Sequence, residues 1–112
     1  MRRSLLAIPA FLLFAATAAV AVPDTSETTF VVRPGHPVRL AAVNQSSEGN
    51  SNSTTWVIVT LDGALAAVDV EPSMRAQTST IVSRPGLHRA TAHCGNHIAT
   101  VASCSVDATP AG

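Results

Sequence analysis

Both cysteines of the chain and three of its four histidines fall between Ser83 and Ala108, in SRPGLHRATAHCGNHIATVASCSVDA. These residue types support two kinds of chemistry: the thiols can join as a disulfide, or a thiolate and imidazoles can hold a soft or borderline metal ion. In an extended segment alternate side chains share a face, so His88, Ala90, Ala92 and Cys94 go together and Leu87, Arg89, Thr91 and His93 lie opposite. The two alanines mark the first set as the inner face. Ile98, Thr100, Ala102, Cys104 and Val106 share one register of the next run, which turns Cys104 inward as well.

The spacing sets up an exclusion. A tight hairpin at Gly95-Asn96 would leave Cys104 at the far end of the partner strand, with the sulfurs on the order of 20 Å apart. A disulfide requires Cα atoms within about 7 Å. Either Cys94 and Cys104 are bonded across a wide loop from Gly95 to Ser103, or a tight hairpin keeps them apart and Cys94 with His97 forms a candidate site. Two cysteines in a small exported chain favour the bonded form, in which His97 and Ile98 sit at the tip of an anchored loop.

Pro85-Gly86, Cys94 and His97 resemble the copper loop of the cupredoxins, in which a strand opening with Pro-Gly ends in Cys, with His three residues on. Val32-Arg33-Pro34-Gly35 followed by Val38 is similar to the early turn of the same family. The resemblance implies a copper held by Cys94 and His97 with a remote imidazole and a weak axial donor. No histidine lies between Asn44 and Trp56, where the first copper ligand of that family would stand, and Ala102 occupies the neighbourhood of the axial Met. His36 is the remaining remote imidazole, so the metal set is Cys94, His97, His36 and His88. A copper or zinc site drawing on His93 or Cys104 is the variant of that reading; strand parity separates His88 from His93.

Other chemistry has less behind it. Asp62, Asp69 and Glu71 are not spaced as a general acid and base, and no serine sits in a nucleophile elbow. Asp62 reads as a turn residue because Gly63 follows it.

The elements that must position these groups are short strands. Runs rich in Val, Thr and Ile alternate with Pro, Gly, Asn and Asp, predicting strands near 29–33, 37–43, 54–61, 64–70, 77–83, 87–94 and 98–106. Arg33-Pro34-Gly35-His36-Pro37 and Asp62-Gly63 are tight turns. Val38, Leu40 and Ala42 share a buried face with Arg39 opposite, and Trp56-Val57-Ile58-Val59 reads as a central strand with Trp56 the largest core contribution. The segment Asn44 to Ser53 carries no apolar residue and is expected as an exposed recognition loop presenting Asn44, Gln45, Ser46, Asn50 and Asn52, with acceptor sequons at Asn44 and Asn52. Seven such strands predict an all-β fold, an antiparallel β-sandwich resembling the immunoglobulin or cupredoxin type.

Ahead of the strands, Arg2-Arg3, the apolar run Leu5–Val20 and Ala19-Val20-Ala21 have the layout of a secretory signal peptide covering 1–21. A flexible arm is expected over 22–28, the sandwich over 29–107 and a flexible tail over 108–112. Residues 22–112 carry five arginines, no lysine and seven acids, a net charge of −2. That balance offers no basic face for nucleic acid or anionic lipid. The expectation is an exported, secreted or periplasmic, non-enzymatic module with a Cys94–Cys104 disulfide, no cofactor, no membrane insertion after signal removal, and a protein or small ligand as partner. The alternative is a cupredoxin-like metal-binding or electron-transfer protein using Cys94 and His97, with copper or zinc.

Overall fold

The computed structural model of the protein describes residues 24–46, 53–98 and 100–112. The expected signal peptide, Asn50 and Asn52 lie outside these. Seven strands follow in order: β1 (Asp24–Val32), β2 (Val38–Ser46), β3 (Thr55–Leu61), β4 (Ala64–Glu71), β5 (Arg75–Val82), β6 (Gly86–Asn96) and β7 (Val101–Pro110). They form two antiparallel sheets, β1-β6-β3-β4 and β5-β2-β7, stacked as a sandwich. The fold class read from the sequence is the one observed.

The first and last strands are longer than the sequence suggests. Asp24 to Val32 pair residue for residue with Cys94 to Gly86, so the arm expected over 22–28 is strand from Asp24 onward. Val38 opposes Pro110, and the Ala111 amide donates to the Pro37 carbonyl, which ties most of the expected tail into the sheet. Both segments are polar on the outside, and polarity alone does not distinguish a solvated edge strand from a loose end.

The central pairs β2 with β5 and β3 with β6 are those of an immunoglobulin sandwich. Three strands are placed differently: β1 pairs with β6, β7 with β2 and β4 with β3, where the immunoglobulin arrangement joins the first strand to the second, the last to the sixth and the fourth to the fifth. The link from β6 to β7 therefore passes between sheets and is no hairpin. Gly95 and Asn96, expected to lie between strands in either arrangement, are the last two residues of β6.

The core is thin and made of small side chains. Val32, Leu40, Val57, Val59 and Val106 are buried with Ala42, Ala76, Ala90 and Ala92. β3 places Thr55, Val57 and Val59 inward, which turns Trp56 and Ile58 to the outer face, half-buried. Trp56 is thus not the core anchor expected of it, because an unbroken apolar run does not reveal which parity faces in. Its indole lies on Gly95, its cross-strand neighbour, where any Cβ would collide with the ring. At the other end of β3, Asp62 and Gly63 both take positive φ (52° and 89°), the two-residue turn that matches sheet twist.

Candidate functional site

Two clusters of polar groups occupy opposite ends of the sandwich. At one end β6 leaves the four-stranded sheet. Cys94 is fully buried in β6, Cys104 is half-buried in β7 beside Asn44, and the two are bonded with Cα atoms 6.0 Å apart. The bridge ties one sheet to the other. Of the two arrangements open in the sequence the bonded one is formed, but not across a loop from Gly95 to Ser103: Gly95 and Asn96 stay in β6 and β7 begins at Val101, because the chain crosses between sheets after Asn96.

The side chains around the bridge continue the inward registers of β2 and β6. Asn44 and Ser46 follow Leu40 and Ala42, and Asn96 follows Ala92 and Cys94; all three polar residues are buried. Asn44 and Ser46, expected in an exposed loop, are strand residues, since alternation carried the chain inward while its composition turned polar. Asn44 Nδ2 donates to the carbonyls of Trp56 (2.7 Å) and Gly95 (2.9 Å), pinning β2 to the opposite sheet. Asn96 Nδ2 donates to Thr55 Oγ1 (2.7 Å) and Ser46 Oγ (3.0 Å), and Thr55 donates in turn to the Ser73 carbonyl. Asn96 Oδ1 accepts from the Ile98 amide at 2.9 Å and shapes the exit of the strand. Most buried amide and hydroxyl groups are paired in this way, the buried Asn44 Oδ1 being without a partner. Gln45 points outward and reaches the Met74 carbonyl and Arg75. With its side chain enclosed, Asn44 is no glycan acceptor in the folded protein.

The metal set is not brought together. Cys94 is spent in the disulfide, and His97 Nδ1 accepts from the Thr54 amide at 3.0 Å while the His97 amide donates back to the Thr54 carbonyl. His36 sits in the turn between β1 and β2, His88 at the far end of β6, and His93 on the outer face. Among the described residues no three His, Cys, Asp or Glu side chains are grouped as ligands.

The second cluster surrounds His88, which is buried at the start of β6. Its Nδ1 lies 2.6 Å from Asp62 Oδ2 and its Nε2 2.7 Å from the Arg84 carbonyl oxygen, with Phe30 stacked on the ring at 5.6 Å. Both neighbours accept and neither donates, so the arrangement satisfies the imidazolium with a proton on each nitrogen. The hydrogen bond to Asp62, then that to the Arg84 carbonyl, raises the His88 pKa above its ordinary value. Asp62 is lowered, first by His88 and then by the Arg89 amide that donates to its Oδ1 at 2.9 Å. An inward histidine opposite an Asp-Gly turn was the signal in the sequence; without the register of β3 on β6 it had no partner.

A pH dependence follows. His88 binds its proton more tightly in the folded state, so its contribution to stability is complete below about pH 6.5 and is lost as pH rises through the raised value. The Asp62 contribution is present above about pH 4 and is lost as pH falls through the lowered value. Asp62→Asn keeps a residue that tolerates the turn and removes the anion. The melting-temperature gap between the native protein and this variant is expected to be widest between about pH 4 and 6.5 and to shrink toward alkaline pH. Thermal melts across that range check it, and a gap constant with pH contradicts the ion pair.

Among the described residues no helix is long and apolar enough to cross a membrane. Comparison with protein families, with characterised proteins and with solved structures finds no match to this chain.

Proposed function

We propose that the chain is an exported, non-enzymatic β-sandwich module with a binding or structural role, its recognition surface at the end of the sandwich that carries Ser46, Thr55 and Asn96. The observation that carries this reading is the Cys94–Cys104 bridge between the sheets at the base of that end. Disulfides of this kind persist in oxidising compartments and are rare in reducing ones. The leader-like pattern of residues 1–21 supports the same reading. The bridge, with Asn44 and Asn96 beside it, cross-links the two sheets at that end, and a rigid base of this kind is the usual way a sandwich presents variable chemistry. In its central strand pairs the module is immunoglobulin-like. Its partner is a protein or a small ligand, recognised without a cofactor and without a basic surface for nucleic acid.

Intact mass of the exported protein, alkylated under non-reducing conditions, tests the reading. The expected species begins at Val22, takes up no alkyl group and is lighter than the reduced chain by two hydrogens. Two alkylated thiols would sink it. An intense thiolate-to-copper absorption on adding Cu(II) to such a dithiol form would favour the cupredoxin-like alternative.

A further inference from the structure

The two outer faces of the sandwich differ in chemistry. Across the three-stranded sheet Arg39, Gln77, Thr78 and Ser79 line a shallow depression of about 380 Å³ with Ala41 and Val43, and one large apolar side chain, Ile81, is exposed beside Arg39. Across the four-stranded sheet stand Val31, Leu65, Val68, Val70 and Leu87, each more than half exposed. These are five of the seven large apolar side chains exposed among the described residues. Pairing gathers them, with Val70 beside Trp56, Val68 beside Ile58, and Val31 beside Leu87. Threonines and His93 fill the spaces between. Glu27 and Arg89, the charged pair on this face, neutralise each other at 3.0 Å.

We propose that this face is where two copies of the chain meet, sheet against sheet. A two-fold axis through its centre lays the Trp56, Ile58, Val68 and Val70 patch across the face of an identical partner. The ion pair is closed within each copy, so identical faces meet without net like-charge repulsion, and no unpaired carboxylate or guanidinium is left to select an oppositely charged protein. The area suffices: four strands about 4.8 Å apart, read over some nine residues at about 3.3 Å, give a footprint of roughly 19 by 30 Å. Once side-chain relief is added, that approaches the about 800 Å² per partner of a standard interface. Isolated apolar residues on a surface need no partner, but Trp56, Ile58, Val68 and Val70, adjoining across β3 and β4, form a cluster that does, with Val31 and Leu87 a second pair beyond Arg89 and Glu27.

Sedimentation equilibrium of the purified, oxidised protein across the micromolar range tests the proposal, with the emission of Trp56, the only tryptophan, as a second readout. The expected result is a monomer–dimer equilibrium in which emission shifts to shorter wavelength as the dimer forms. Val68→Arg places like charges in the covered area and should weaken association at least about tenfold. Ser79→Arg, on the opposite outer face, should leave it unchanged. Leu87→Arg, at a position 69% exposed, serves if Val68→Arg does not fold. A protein monomeric throughout, a dimer that survives both apolar-face variants, or one dissociated by Ser79→Arg overturns the proposal.

Discussion

Reduction of the Cys94–Cys104 bridge is expected to lower the stability of the domain by roughly 3 kcal/mol, the chain-entropy value for a loop of about ten residues. For a domain of this size that corresponds to a fall in melting temperature on the order of 10–20 °C. The loss is large in proportion, because small domains bury little apolar surface and this core is built on alanine and valine. The bridge also joins two sheets that share no backbone hydrogen bonds, so its removal leaves the β6-to-β7 crossing held by Asn44, Asn96 and packing. Replacing Cys94 by Ser should cost more than replacing Cys104, since the new hydroxyl at the first position is fully enclosed and at the second is partly wet. Urea unfolding of the oxidised, reduced and single-serine forms measures all three. Oxidised and reduced midpoints that coincide would show that the polar end alone holds the sheets together.

Loss of the Asn44 amide is the second large effect. Its Nδ2 serves two carbonyls of the opposite sheet from a fully buried position. Asn44→Ala removes both bonds from a fully buried site, at an expected cost of about 1–3 kcal/mol. Asn44→Asp places a carboxyl against the same two carbonyl oxygens. It should be worse than the alanine variant at neutral pH, where the charge is buried against like dipoles, and should recover in acid as the group protonates and donates one bond. A destabilisation of Asn44→Ala below about 0.5 kcal/mol, the range of an ordinary surface substitution, would mean that these bonds do not hold the sheets.

Asn44 also marks where composition misleads. A segment without apolar residues reads as loop, yet its first three residues extend β2, and the inward period set by Leu40 and Ala42 runs on through Asn44 and Ser46. Periodicity carried the information that polarity hid. The same extrapolation along β6 takes Ala90, Ala92 and Cys94 on to Asn96. His88 was legible as an inward histidine, but its partner was not, because Asp62 reaches it only through the pairing of β3 on β6 that sets Leu61 beside Ala90.

Alternation and turn chemistry by themselves determined seven short strands, the Asp62-Gly63 hairpin, the inward faces of β2 and β6, and the burial of Cys94. These are properties of neighbouring residues and need no knowledge of which strand lies beside which. Only the tertiary structure decided that the outer strands exchange sheets. That choice depends on long-range pairing, which no local pattern encodes, and everything at the Cys94 end follows from it. With β7 on the opposite sheet, Gly95 and Asn96 stay in β6, Cys104 comes within bonding distance of Cys94, Gly95 becomes the bed of an outward Trp56, and the thiol that resembled a copper ligand is closed into a bridge between the sheets.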